Sequence, residues 1–317
     1  ANMKKGMRVL VTGGAGFIGS HLVDRLMKDP GVKKVTVVDN LSTGKRNNVN
    51  VEQFDKGEFI YGNLYDTEIA KIATQDIDVV FHLAATSSIQ DSLTSPLLYH
   101  LNGDHMTLVL LDAALKAGVP NFIFASSASV YKSSYKPVSE TMIPIPLSPY
   151  AVYKLNSENY LRIFSLYGMK TVSLRFFNVY GPRQVQGVVP KLCQSFLQHK
   201  PFPINGNGEQ SRDFIYVSDV VEACIKAMHH PQGFQGHRFN IGTGKSTSVK
   251  HLIEIFNHTM KCQTKKVWVN PLPNEIQHSQ ADIRLAMSML EWSPTISLQE
   301  GIRMTFEYWF DTKRNKI

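Results

Sequence analysis

This 317-residue sequence predicts an α/β fold, a doubly wound parallel sheet with a smaller mixed lobe at its C-terminal end. Three observations carry that expectation. Short β-branched runs alternate with helical stretches from residue 7 to about 175, the pattern of a parallel sheet covered on both faces. The first run stops at a glycine-dense turn, and an apolar helical pattern follows at once. Beyond Asn178 the text becomes irregular and rich in turn residues, as a separate lobe would be.

The first element is Val9–Val11, which empties into Thr12-Gly13-Gly14-Ala15-Gly16-Phe17-Ile18-Gly19. Within it, Gly14-Ala-Gly16-Phe-Ile-Gly19 fits G-x-G-x-x-G. One glycine permits the tight turn, one lets the backbone approach a pyrophosphate, and one lets helix pack closely on strand. The following helix presents free N–H groups and its positive dipole end to the phosphates. The second strand, Lys34-Val-Thr-Val-Val38, ends in Asp39, about 20 residues past Gly19, where an acid grips a ribose 2′-hydroxyl. A carboxylate there repels a 2′-phosphate, which favours NAD. Lys45 and Arg46 follow closely, and as cations they leave NADP open at this point.

Further strands are expected at Glu58–Tyr61, Val79–Leu83, Phe122–Ser126 and Thr171–Phe176. Helices are expected at Ser20–Lys28, Asp66–Ala73, Met106–Ala117 and Tyr150–Tyr167. Phe214–Val221 reads as a strand or turn leading into a helix, and Phe239–Gly242 as another strand. Helices follow at Val249–Met260, Asp282–Leu290 and Leu298–Phe310. Residues 1–177, with a returning segment at about 214–242, would form a Rossmann-type NAD-binding domain. Residues 178–213 and 243–317 would form the substrate lobe.

Composition excludes several classes. A hydrophobic share of 43% and a charged share of 19% fit an ordinary globular protein. No apolar run approaches a membrane span. The start, Ala1-Asn2-Met3-Lys4-Lys5, has no signal-peptide apolar region, and Ala1-Asn2 reads as a cloning remnant. Cys193, Cys224 and Cys262 show neither metal spacing nor a disulfide framework, so no metal and a reducing cytoplasm are expected. The net charge of +8 is spread along the chain without a basic block, which speaks against nucleic acid and suits a polyanionic nucleotide substrate.

Two further stretches carry chemistry. Tyr150 and Lys154 lie four residues apart on an expected helix, so phenol and ammonium share one face. A nearby ammonium favours phenolate and is expected to lower the tyrosine pKa towards that of a working base. Tyr153, one residue from Lys154, faces elsewhere. Phe124-Ala-Ser126-Ser127-Ala-Ser129 empties a strand into a serine-rich turn, placing hydroxyls at the sheet's carboxyl edge.

Together these stretches resemble the extended short-chain dehydrogenase/reductase family, in particular its nucleotide-sugar epimerases and dehydratases. The resemblance covers nearly the whole chain. It implies a catalytic triad of Ser127, Tyr150 and Lys154. It implies cofactor contacts at Gly13, Gly16, Phe17, Ile18 and Gly19, at Asp39, Asn40, Ser42 and Gly44, and at Asn63 and Leu64. The cofactor list continues through Leu83, Ala84 and Ala85 of His82-Leu-Ala-Ala85, then Ser126, Tyr150, Lys154 and Phe177. Substrate contacts are implied at Ser88, Ser127, Asn178, Val189 and Arg212. Phe239-Asn-Ile-Gly242 and Trp292-Ser-Pro294 are further landmarks.

Dehydratases of the family carry an Asp-Glu pair just after the catalytic hydroxyl, and decarboxylases a Glu. This chain has Ala128-Ser129. What remains is the simplest reaction, closest to that of UDP-glucose or UDP-N-acetylglucosamine 4-epimerases. The gate at the sugar C2 substituent corresponds to Ser279, small enough to admit N-acetyl groups. The resemblance also implies a homodimer through the helices Met106–Ala117 and Tyr150–Tyr167. A 4-keto-sugar reductase or sugar dehydrogenase with the same triad stays open, and so does a non-catalytic nucleotide sensor. The chain departs from the family pattern at four positions. Leu272 replaces an Arg, Gly103 an Asn and Asn63 an Asp, and Tyr153 stands where a small hydroxyl residue is usual.

Overall fold

The computed structural model describes residues 6–53 and 55–314. The expected start at Ala1-Asn2 lies outside the described residues. In chain order the first elements are β1 (Met7–Thr12), α1 (Phe17–Met27), β2 (Val32–Asp39), β3 (Gly57–Tyr61), α2 (Thr67–Ala73) and β4 (Val79–His82). Next come α3 (Ile89–Thr94), α4 (Pro96–His100), α5 (Met106–Lys116), β5 (Asn121–Ser127), α6 (Pro149–Leu166) and β6 (Lys170–Phe176). The remainder is β7 (Asn178–Tyr180), α7 (Val188–Leu197), β8 (Phe202–Asn205), β9 (Ser211–Arg212), β10 (Phe214–Tyr216), α8 (Val217–His229), β11 (Gln235–Ile241), β12 (Thr247–Ser248), α9 (Val249–Met260), β13 (Lys266–Val269), α10 (Arg284–Leu290) and α11 (Leu298–Arg314).

Seven strands form one sheet in the order β11-β6-β5-β4-β1-β2-β3. The pairs from β5 through β3 all run parallel, and the order reverses at β1, as in a doubly wound sheet. Strands buried on both faces should be near-continuous apolar runs, and β4, Val79-Val-Phe-His82, is buried throughout. One face packs Leu10, Val80, Phe122 and Phe124 against Leu110, Leu111 and Ala114 of α5 and Leu161 of α6. Burying each such Leu or Phe contributes about 1.5–3 kcal/mol. The parallel register sets Thr12 beside Val38 on one side and beside His82 on the other. The carboxyl ends of β1, β2 and β4 therefore finish together.

The chain forms two compact units. One comprises residues up to Val130, Pro144–Arg175 and Val221–Phe239; the other comprises Tyr131–Ile143, Phe176–Val220 and Asn240 onwards. The returning segment is thus shorter than the sequence suggests, and residues 131–143 join the second unit. Hydrogen bonding explains the latter. Val138 exchanges backbone bonds with Gln280 and Asp282, and the Tyr131 hydroxyl donates to Asn240. Three helices had no sequence signal strong enough to announce them: α3, α4 and α7. Between α4 and α5 the helix breaks at Gly103, whose backbone (φ −120°, ψ −107°) is not helical.

Candidate active site

In the first unit the glycine turn is built by steric necessity. Gly13 has φ +68°, and a Cβ there would lie 2.7 Å from the Ala84 nitrogen. A Cβ on Gly19 would lie 2.2 Å from the Gly13 oxygen, so α1 reaches β1 only without a side chain. A Cβ on Gly16 would meet nothing but the Gly13 oxygen, at 3.2 Å, so its outer side is open to a close ligand. The α1 N-terminus has no side-chain cap and no acid in its first turn. Phe17 and Ile18 there are half-buried. Its N–H groups suit a pyrophosphate.

Asp39 is buried and accepts from the amides of Ala15 (3.0 Å) and Leu41 (2.8 Å). Each carboxylate oxygen keeps a second lone pair for a ribose hydroxyl. Asn40 donates to the side-chain oxygen of Asn63 and accepts from the Ser42 amide. Gly44 packs on Ala15, where a Cβ would lie 2.7 Å from the carbonyl carbon. Arg46 is spent inside its own loop, over the Phe59 ring and against Glu52 and the Val49 carbonyl. Leu64 is buried in the core, so only its backbone is free for a ligand.

A buried hydrogen-bond chain holds the exit of β4. The Thr12 hydroxyl accepts from the amides of Leu83 (3.0 Å) and Ala84 (3.1 Å), so its own proton goes to His82 Nδ1 at 2.7 Å. His82 Nε2 then donates to the Thr107 hydroxyl (3.0 Å), which donates to the Gly103 carbonyl (3.0 Å). Burial pushes the His82 pKa down to about 3, so the imidazole is neutral. Sequence reasoning did not find this residue's part in the site. Ala85 is half-buried beyond the turn, and Ser88 caps α3 by accepting from the Asp91 amide.

The proposed triad lies in the same unit. Ser148 caps α6 and Pro149 occupies its first position, so the helix begins just before Tyr150. Ser127 ends β5 beside the Tyr150 phenol, whose pKa it holds back, and accepts from the Ser129 amide at 3.1 Å. Lys154 is buried and donates to the Ala125 carbonyl at 2.7 Å, its nitrogen 5.6 Å from the Tyr150 ring centre. The electrostatics correct one expectation. Tyr150 is not brought down by Lys154; burial pushes its pKa up to about 12, with neighbouring Tyr99 adding to the rise and Ser127 opposing it. Lys154 is itself pulled down to about 7 by burial, with Glu158 opposing. A lysine pulled down that far is charged only part of the time near neutral pH.

Glu158, one turn beyond Lys154, is fully buried. It accepts from Ser126 at 2.5 Å and from Arg175 at 2.9 and 2.7 Å. This forked pair ties α6 to β5 and β6 and was not read from sequence. Tyr153 is buried, donates to the Thr86 carbonyl, and burial holds its pKa well above the usual phenol value.

In the second unit Asn178 opens β7 beside Phe214 of β10 and exposes its side chain. Arg212 stands 3.5 Å from Glu275, and its Nη1 donates to the Ser211 carbonyl. Burial lowers the Arg212 pKa from the usual guanidinium value, with Glu275 opposing. Ser279 donates its amide to the Ser211 carbonyl at 3.1 Å, so it sits beside Arg212. Asp213 anchors this corner, accepting from the amides of Thr243, Gly244 and Ala281 and from the Thr243 hydroxyl. Leu272 is exposed. Val189 of α7 and Phe177 are buried, which leaves their backbones rather than their side chains for a ligand. Among the described residues there is no metal-ligating cluster and no helix long and apolar enough to cross a membrane. All three cysteines are free.

Residues 9–242 match the model of the NAD dependent epimerase/dehydratase family. The chain is 36% identical to the UDP-glucose 4-epimerase of Mycolicibacterium smegmatis, over 98% of this chain and 99% of that one. It resembles the structure of a Thermotoga maritima UDP-glucose 4-epimerase with UDP-glucose (TM-score 0.91, 38% identity, 97% and 100% of the two chains). It also resembles a UDP-N-acetylglucosamine 4-epimerase from Methanobrevibacter ruminantium in complex with UDP-N-acetylmuramic acid (TM-score 0.90, 37% identity, 98% and 99%). The chain belongs to the NAD dependent epimerase/dehydratase family, and NAD is its cofactor.

Proposed function

We propose that this family member is a 4-epimerase of a UDP-hexose or UDP-N-acetylhexosamine, acting through a transient 4-keto sugar. The observation that carries the reading is the Ser127–Tyr150–Lys154 cluster followed by Ala128-Ser129, with no acid where a dehydratase or decarboxylase needs one. Similarity to 4-epimerases over nearly the full chain supports it.

When bound, NAD supplies the hydride acceptor and a cationic ring. The chain's own residues handle the proton. Tyr150 takes it from the sugar 4-hydroxyl as C4 gives up hydride. The Ser127 hydroxyl, oriented by the Ser129 amide, bridges the sugar oxygen and the phenol. Lys154, anchored by the Ala125 carbonyl with its nitrogen 5.6 Å from the Tyr150 ring centre, would hold the nicotinamide ribose when NAD is bound. After the 4-keto sugar turns over, Tyr150 returns the proton as hydride returns to the opposite face. Asn178 and Arg212 are the proposed diphosphate contacts, Arg212 as a planar fork. Ser279 is the proposed gate at C2. A homodimer through α5 and α6 is part of the proposal. Its support is exposed apolar side chains on α6, Val152 and Leu166, and on α4, Leu97 and Leu98.

The test uses the purified protein without added cofactor. UDP-GlcNAc and UDP-glucose are followed by NMR, and the bound nucleotide is identified after denaturation. Conversion at C4 with stoichiometric NAD is expected. An enzyme that leaves both sugars untouched yet consumes NADH with a 4-keto sugar would be a reductase instead.

A further inference from the structure

Two of the chain's departures from the family pattern meet in space. The Tyr153 ring lies over Gly103, where a Cβ would come within 2.4 Å of its Cγ and 2.7 Å of both Cδ atoms. Those atoms are the base of the ring, held by α6, and cannot swing aside as the end of a long side chain could. Gly103 is therefore the residue that makes room for Tyr153. The ring stands 5.2 Å from that of Tyr150, edge to face at 78°, and its hydroxyl donates to the Thr86 carbonyl at 2.7 Å.

Thr86 belongs to the stretch that leaves β4. At its start, Leu83 and Ala84 donate to the Thr12 hydroxyl, from which the His82–Thr107–Gly103 chain runs on. Farther along, the Tyr153 hydroxyl donates to the Thr86 carbonyl, two residues before Ser88, which caps α3. Gly103 thus serves both places: its carbonyl terminates one chain of bonds, and its missing side chain admits the ring that makes the other.

We propose that Tyr153 is a positioning residue for the reaction, clamping the Leu83–Ser88 turn against α6, and that Gly103 and Tyr153 are one coupled replacement. This rests on the reading of that turn as facing NAD and substrate. Tyr153 touches neither reacting atom. It acts by fixing backbone that must face the cofactor.

Four variants test it: Tyr153→Phe, Tyr153→Ser, Gly103→Asn, and Tyr153→Ser with Gly103→Asn. The readouts are the NADH dissociation rate by fluorescence and amide hydrogen exchange across residues 83–88 of the protein as purified. The KM and kcat for UDP-GlcNAc complete the set. Tyr153→Phe should speed NADH dissociation severalfold, because the turn loses a hold that orders it for the cofactor, with KM within about twofold. Exchange should quicken at 85–88 but not in β1. The double variant should be better than either Tyr153→Ser or Gly103→Asn alone. Wild-type dissociation and exchange in Tyr153→Phe overturns the clamp. A double variant no better than its worse parent overturns the coupling. If the wild-type protein holds NADH but epimerises no sugar, the functional reading fails, while dissociation and exchange still decide the clamp.

Discussion

Lys154 donates to the Ala125 carbonyl at 2.7 Å and keeps its nitrogen 5.6 Å from the centre of the Tyr150 ring. The lysine sits near 7 and the tyrosine near 12, so between those values the pair holds one proton fewer than below them. The reactive arrangement, ammonium with phenolate, is a tautomer of that singly deprotonated form. The logarithm of kcat/KM for a UDP-sugar should therefore rise with unit slope up to about pH 7 and then level. Lys154→Met should abolish that inflection. A flat wild-type profile from about pH 5 to 9 would remove the pair from proton transfer.

Removing the phenol is the sharper test of chemistry. Tyr150→Phe should lower kcat by roughly 10³-fold, within the usual range for a lost general base. Ser127→Ala should lower it by roughly 10²-fold, as for one lost hydrogen-bond donor to a developing oxyanion. NAD content should persist in both. Steady-state kinetics with cofactor analysis decide it, and a Tyr150→Phe protein with wild-type turnover would dismiss the base.

Ser279 lies beside Arg212 through its bond to the Ser211 carbonyl. Ser279→Tyr should fill the space expected for a C2 N-acetyl group. Competition between UDP-GlcNAc and UDP-glucose should then shift by roughly 10²-fold towards glucose, with UDP-glucose turnover little changed. Equal losses for both sugars would place the C2 gate elsewhere.

The Glu158–Arg175 pair is fully buried, and breaking it leaves the Glu158 carboxylate only the Ser126 hydroxyl and Arg238 at 4.0 Å. Arg175→Met should cost about 3–5 kcal/mol in stability, read as a lowered urea midpoint. An unchanged midpoint would mean that the carboxyl is protonated or otherwise satisfied.

His82 gives an acid-sensitivity prediction with a definite sign. Its folded pKa of about 3 lies below the ordinary value of 6.5, so the unfolded chain binds the extra proton. Its contribution is complete above 6.5 and is lost as pH falls towards 3. The full slope is about 1.4 kcal/mol per pH unit. Urea midpoints measured from pH 7 to 4 should fall, and His82→Gln should flatten the fall. Parallel curves for the two proteins would contradict a neutral buried imidazole.

The sequence by itself determined what depends on near neighbours. The glycine turn between β1 and α1, Asp39 at the end of β2, and Tyr150 and Lys154 one helical turn apart all follow from local periodicity and glycine sterics. So did most strands of the sheet, because buried parallel strands must be apolar throughout. Tertiary structure alone decided what depends on distant partners. The Thr12–His82 bond joins residues 70 apart, and the Asp213 hub joins loops 30 and 68 residues away. The fit of Tyr153 over Gly103 reads in sequence as two unrelated departures. The direction of the Tyr150 shift belongs to the same class. The spacing to Lys154 argues for a lowered pKa, but desolvation is set by what packs around both groups, and only the folded chain brings Tyr99, Tyr153 and β5 against them.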